Sequence, residues 1–265
     1  MRTTIALGML ALAAAGCVGS LTSHRVPITL PEPATLTAEL YTPKGPGAFP
    51  ALVLLHGCGG IGPNIVAWAT WLREEGYAAL VLDSFGGRGI RRLCADASPL
   101  RGQRRSPDVY AAAAYLATLP VIDRNRIGAI GWSHGGWTVL WAGNTEERYS
   151  DVKLRALVAF YPVCADVVAY GGTTPLLMLL GELDEWTSPE TCRTVALGGR
   201  RAGRDVVDVL YPGAHHAFDA ANLTRPVRVE DARGGRGATI AYNPSAHADA
   251  EKRVREFLAR HLRSS

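Results

Sequence analysis

The stretch Gly131-Trp132-Ser133-His134-Gly135-Gly136 has the form Gly-x-Ser-x-Gly, entered through the apolar run Arg126-Ile127-Gly128-Ala129-Ile130. The run Trp137 to Ala142 leads out of it. Strand, sharp turn and helix is the setting in which this pattern becomes a nucleophile elbow. A serine on such a turn projects its hydroxyl above the sheet edge, and only glycine tolerates the crowding beside it. The following helix aims its positive N-terminal end at the same spot. Taken alone, the hexapeptide could equally be a strand-to-helix turn with a serine cap. A base, an acid and oxyanion donors must come from elsewhere in the chain.

Working outward, further apolar runs alternate with helical patterns. Ala51-Leu52-Val53-Leu54-Leu55 and Ala78 to Leu82 read as strands buried on both faces, as do Leu154 to Tyr161, Pro175 to Leu180 and Val206 to Tyr211. Ile65, Trp68, Ala69 and Leu72 carry helical spacing up to a Gly76 cap. Pro107 to Leu119, Pro189 to Leu197 and His247 to Leu262 are also predicted helical, and Arg25 to Leu30 with Thr35 to Tyr41 is predicted as an opening hairpin. This alternation predicts an α/β fold, a mostly parallel sheet with helices on both faces and its site beyond the C-terminal strand ends. Asp83 to Pro107 reads as a long polar loop, and its Arg88, Arg91, Arg92, Arg101, Arg104 and Arg105 as a solvated cluster. Arg225 to Ser245, poor in apolar residues, reads as a surface excursion.

A serine hydroxyl needs a positioned base. In the order Ser, acid, His, the base must follow a late strand. His215 and His216, just after Val206–Tyr211, qualify; His261, on the last helix, does not. The acid is expected after Leu176–Leu180, in Gly181-Glu182-Leu183-Asp184-Glu185, where position along the loop favours Asp184. Its task is to hold the imidazole's tautomer and stabilise the imidazolium. One oxyanion donor is the His134 N–H; the other falls at Gly57 or Cys58, in the glycine-rich loop His56-Gly57-Cys58-Gly59-Gly60.

The 265 residues suffice for one large domain, and no repeat or composition break marks a second, so residues 18–265 are expected to form one. A formal charge of +4, without a Lys/Arg cluster interleaved with aromatics, gives no support to nucleic-acid binding. Arg2 followed by the apolar segment Ile5 to Ala15 reads as an export signal, residues 1–17, too short to span a bilayer. Ala14-Ala15-Gly16-Cys17 resembles a lipoprotein cleavage site, which would make a lipid on Cys17 the chain's link to a membrane. Ala14 stands where such sites usually have leucine, so ordinary signal cleavage stays open; either way an exported, periplasmic or envelope-anchored protein is expected. Of five cysteines, setting Cys17 aside leaves four. In an oxidising compartment Cys58–Cys94 and Cys164–Cys192 are the favoured disulfides, each joining loops at the same end of neighbouring strands. No Cys-x-x-Cys or His/Cys spacing suggests a metal, and no cofactor is implied.

Leu55-His56-Gly57-Cys58-Gly59-Gly60, Asp83-Ser84-Phe85-Gly86-Gly87-Arg88-Gly89, the Ser133 elbow, Gly181 to Asp184 and Tyr211 to Phe218 together resemble the dienelactone hydrolase family of α/β-hydrolases over nearly the whole chain after the leader. The resemblance implies the α/β-hydrolase fold. It selects His216, two residues before Phe218, over His215 as base, and it maps the acid to Asp184. Founding members carry a cysteine nucleophile where this chain has Ser133, which points to a serine esterase or lactonase acting on a small-molecule ester or lactone. Family members hold a substrate carboxylate with arginines, which makes Arg88 a candidate for that role, although a structural salt bridge suits it as well. Trp186 is a candidate pocket wall. The alternatives are a serine peptidase of the prolyl-oligopeptidase type and a non-catalytic binding protein on the same scaffold.

Overall fold

The computed structural model describes residues 22–28, 34–148 and 152–262. The predicted leader and Cys17 lie outside the described residues. Eight strands form one sheet: β1 (Thr22–Ile28), β2 (Ala34–Tyr41), β3 (Phe49–Leu55), β4 (Ala78–Asp83), β5 (Ile122–Trp132), β6 (Leu154–Phe160), β7 (Leu176–Gly181) and β8 (Val206–Tyr211). Their order is β1-β2-β4-β3-β5-β6-β7-β8. The β1–β2 hairpin is antiparallel and joins β4 antiparallel; β4, β3, β5, β6, β7 and β8 run parallel. β3 and β6 flank β5, with Leu55 paired to Gly131 and Gly131 to Ala159.

The two faces divide the apolar residues by the two-residue period of a strand. Ala51, Val53 and Leu55 pack with Val109 and Tyr110 of α2 (Gly102–Ala117) and Val139 and Leu140 of α3 (His134–Asn144). Cys192 and Val195 of α4 (Pro189–Arg201) complete that layer. Leu52 and Leu54 face the opposite layer, where Trp68 and Leu72 of α1 (Pro63–Glu74) meet Val254 and Leu258 of the C-terminal helix. α1 ends as its sequence predicts, with Gly76 at φ 88° and Tyr77 N–H closing on the Leu72 carbonyl at 2.9 Å.

Two segments depart from the expectation. α2 begins at Gly102, five residues before Pro107, which lies inside the helix. Proline cannot bond the Gln103 carbonyl, and the Ser106 hydroxyl donates to it instead at 2.8 Å. The segment read as a surface excursion holds β9 (Val227–Val229), the short helix α5 (Ala232–Gly235) and β10 (Ala238–Ile240), before α6 (Pro244–Leu262). It folds back over the strand ends: Ile240 bridges to His216, and the Ala241 N–H donates to the His216 carbonyl at 3.2 Å. Few of its side chains are apolar because it forms a thin roof, held largely by backbone and ionic contacts.

Candidate active site

Six successive loops leave the C-terminal ends of β3 to β8 on one edge of the sheet. The strand ends and these loops carry His56, Asp83, Ser133, Tyr161, Asp184 and His216, with Asp83 as the last residue of β4. Ser133 sits at φ 55°, ψ −112°, a conformation that costs a non-glycine residue energy and persists only where the surroundings impose it. Its N–H donates to the Phe160 carbonyl and its own carbonyl accepts from Trp137 N–H, both at 2.9 Å. The flanking glycines are required by contact. A Cβ on Gly131 would stand 2.2 Å from the Gly135 carbonyl oxygen, and one on Gly135 would stand 2.0 Å from that of Leu55.

His216 Nδ1 lies 2.7 Å from Asp184 Oδ2, and both side chains are almost fully buried. Asp184 is itself fixed. Its Oδ1 accepts the N–H groups of Trp186 at 2.8 Å and Thr187 at 2.9 Å, and its Oδ2 accepts the Thr187 hydroxyl at 2.8 Å. Burial favours the neutral acid here, but the charge and hydrogen bond of His216, with the bonds from Thr187, outweigh it and hold the carboxyl below its ordinary pKa. With a carboxylate against Nδ1, that nitrogen carries the imidazole proton and Nε2 is left as the basic atom.

Ser133 and His216 line one cavity of about 190 Å³, together with Gly57, Cys58, Trp186 and Ile240. A larger cavity of about 720 Å³ lies at the far edge of the sheet, where Leu154 and Pro175 enter β6 and β7, remote from Ser133. Both expected disulfides are present: Cys58–Cys94 with Cα atoms 4.9 Å apart, and Cys164–Cys192 with Cα atoms 5.2 Å apart. The first ties the glycine-rich loop to the segment after β4, and Leu93 N–H adds a bond to the Cys58 carbonyl at 2.8 Å. Trp186 stands beside His216, ring centroids 5.0 Å apart, and lines the same cavity.

Arg88 is elsewhere. It gives both guanidinium nitrogens to the fully buried Asp108 at 2.8 Å and one also to the Ser84 carbonyl, so its fork is spent on the scaffold rather than on the cavity. The reading of the arginine cluster as solvated fails at Arg105, which is completely buried. Its Nη1 donates to the His56 carbonyl at 2.9 Å and to His134 Nδ1 at 3.0 Å, and its guanidinium lies over the Phe85 ring. One cation thus joins the glycine-rich loop to the residue after Ser133. Burial lowers its pKa to about 10, against the pull of Asp108, so it remains charged at neutral pH. Burial, and then Arg105, push His134 down to about 3. A neutral His134 that accepts at Nδ1 must donate from Nε2, which lies 2.8 Å from the Leu100 carbonyl.

Sequence reasoning also missed Asp219. This buried carboxylate accepts the indole N–H of Trp68 at 2.8 Å and of Trp132 at 2.9 Å on Oδ2, and the Tyr161 hydroxyl at 2.5 Å on Oδ1. Trp132 precedes Ser133, and the Tyr161 ring lies 4.5 Å from that of His216. Burial and the neighbouring Asp219 charge drive the Tyr161 phenol well above its usual pKa, so it serves as a fixed donor. The signal was present in sequence: two tryptophans destined for burial each need an acceptor, and an aspartate directly follows Phe218.

Among the described residues no group of three or more His, Cys, Asp or Glu side chains is placed to hold a metal. The model of the dienelactone hydrolase family matches residues 36–262. The probable 2-oxo-3-(5-oxofuran-2-ylidene)propanoate lactonase of a Bradyrhizobium species is 25% identical over 210 residues, which are 74% of this chain and 84% of that one. The quorum-quenching protein AidA of Acinetobacter baumannii is 37% identical over 120 residues, 44% of this chain and 38% of that one. In fold, the chain resembles a dienelactone hydrolase-like promiscuous phosphotriesterase from metagenomic libraries, with a TM-score of 0.69 and 22% identity over 92% of this chain and all (100%) of that one. An eight-stranded, mostly parallel sheet covered on both faces, and a family match over nearly its whole described length, make the chain a member of the dienelactone hydrolase family of α/β-hydrolases.

Proposed function

We propose that the protein is a serine hydrolase of small carboxylic esters or lactones that works through an acyl-enzyme at Ser133. The observation that carries this reading is one arrangement: a strained serine at the head of α3 shares a cavity with an imidazole whose Nδ1 is held by a buried carboxylate. Ser133 Oγ attacks the carbonyl carbon while its proton passes to His216 Nε2, and Asp184 stabilises the imidazolium. The oxyanion formed is met by the N–H of His134 and one from Gly57 or Cys58; each such donor is worth roughly 3 kcal/mol in the transition state. Collapse breaks the ester bond, and the leaving alkoxide takes the proton from His216. Water, deprotonated by the same nitrogen, then releases the acid and restores Ser133. The lactonase relative supports ring esters as substrates alongside open ones.

Two disulfides fit an oxidising compartment, so export is part of the proposal, with Cys17 as a lipid anchor or a nearby signal cleavage. Ser133→Ala should lower kcat for p-nitrophenyl butyrate by at least a thousandfold with the folded structure intact; retained turnover would exclude the serine mechanism.

A further inference from the structure

The cavity around Ser133 and His216 is walled by Ile65, Trp132, Tyr161, Trp186, Val229 and Ile240, and the permanently charged side chain that reaches it is Arg92. That charge is already matched. Arg92 gives Nε to Asp231 Oδ2 at 3.0 Å and Nη2 to Oδ1 at 2.8 Å, so both prongs of its fork rest on one carboxylate. A guanidinium engaged in this way has its charge matched and its Nε/Nη2 face occupied, so its remaining N–H groups hold a second carboxylate less strongly. Asp231 comes from the roof, between β9 and α5, and Arg92 from the segment fixed by Cys94, so the pair spans the cavity's rim. A second latch of the same kind joins the roof to the acid loop: Glu185 accepts from Arg228 at 3.0 Å and from Thr239 N–H at 3.2 Å. At about 190 Å³ the cavity lies below the roughly 300–1,000 Å³ that holds drug-sized ligands.

We propose that the site selects small, uncharged esters or lactones, and that Asp231 sets this preference by neutralising Arg92. A substrate carboxylate at the rim meets an ion pair of zero net charge in place of a free cation. This rests on the hydrolase reading above and deepens it. Asp231 is a specificity-determining residue here and takes no part in the acyl transfer.

The test compares two aryl esters of matched chain length, p-nitrophenyl butyrate and p-nitrophenyl hemisuccinate, on the oxidised, full-length protein. The wild type should favour the butyrate at least tenfold in kcat/KM. Asp231→Asn, which keeps the size and removes the charge, should shift that ratio at least tenfold toward the hemisuccinate. Adding Arg92→Ala should reverse the shift. Because each ratio comes from one preparation, the fraction of folded protein cancels. A Ser133-dependent wild type that hydrolyses the hemisuccinate as well as the butyrate would overturn the charge reading alone, as would an unchanged ratio in Asp231→Asn. Butyrate turnover that survives Ser133→Ala would overturn the hydrolase reading, and this inference with it.

Discussion

Removing Asp219 should cost far more stability when its acceptors vanish than when only its charge does. Three buried donors converge on it: the Trp68 and Trp132 indoles on Oδ2 and the Tyr161 hydroxyl on Oδ1. Asp219→Ala leaves the two indoles without a partner and takes from the Tyr161 hydroxyl its carboxylate acceptor, with the Asn64 side chain as its remaining neighbour. At about 1–3 kcal/mol for each stranded buried group, less the desolvation that the carboxylate no longer suffers, the loss should be on the order of 4 kcal/mol. Asp219→Asn behaves differently because the donors are of two kinds. An indole N–H can only donate, so the amide oxygen must take the Oδ2 position. The amide nitrogen then faces Tyr161, whose hydroxyl can turn and accept. Both indoles keep their acceptor and only the Tyr161 contact is rearranged, so the cost should stay near 1 kcal/mol. Urea unfolding of the oxidised protein, followed by tryptophan fluorescence, measures both, with the slope m checked for constancy. Equal losses for the two variants, or a loss below about 1 kcal/mol for Asp219→Ala, would refute the donor accounting.

Acid should destabilise the fold well above the carboxylate range. His134 is held near 3, and burial followed by Arg105 also holds His56 well below 6.5. Below pH 6.5 the unfolded chain binds protons that the folded one refuses, so stability falls as pH falls, by about 1.4 kcal/mol per unit for each histidine. Lowering the pH from 7 to 5 should therefore cost about 2 kcal/mol through His134 alone, and His134→Gln should remove that part of the slope; a urea midpoint flat from pH 7 to 5 would contradict this. The two disulfides close segments of 36 and 28 residues, worth roughly 3.5–4 kcal/mol each by chain entropy. Replacing either pair by serine should lower stability by similar amounts. Only loss of Cys58–Cys94, both of whose residues line the cavity, should also lower kcat when assayed at equal folded fraction.

Wherever one local pattern carries the information, the sequence was a sufficient guide. The apolar runs of β3 to β8 and the Gly-x-Ser-x-Gly turn announced the sheet and its edge, because a strand buried on both faces leaves few alternatives. Position after β7 favours Asp184 and position after β8 points to His215 and His216 together, which is topology written in chain order; the family resemblance chooses His216 between them. Arg105 and Asp219 were not found, since a buried polar residue is recognised by its partners, and those partners are contributed by other elements: the His56 carbonyl and His134, or Trp68, Trp132 and Tyr161. Residues 227–240 do lie at the surface, but their docking over the strand ends is not legible for the same reason, because its fixings are the pairs Arg92–Asp231 and Glu185–Arg228, distant in sequence. Arg88 shows the converse: its motif placed it in the right loop, and Asp108 decided where its guanidinium went.

The central claim is that Ser133 is the nucleophile of an acyl transfer driven by His216 and Asp184. The most direct measurement is to treat the folded protein with a fluorophosphonate and locate the adduct by peptide mass spectrometry, with Ser133→Ala and His216→Ala alongside. The account predicts stoichiometric modification at Ser133, none in Ser133→Ala, and labelling at least a hundredfold slower in His216→Ala. An unmodified Ser133 in folded protein that still hydrolyses p-nitrophenyl butyrate would contradict it.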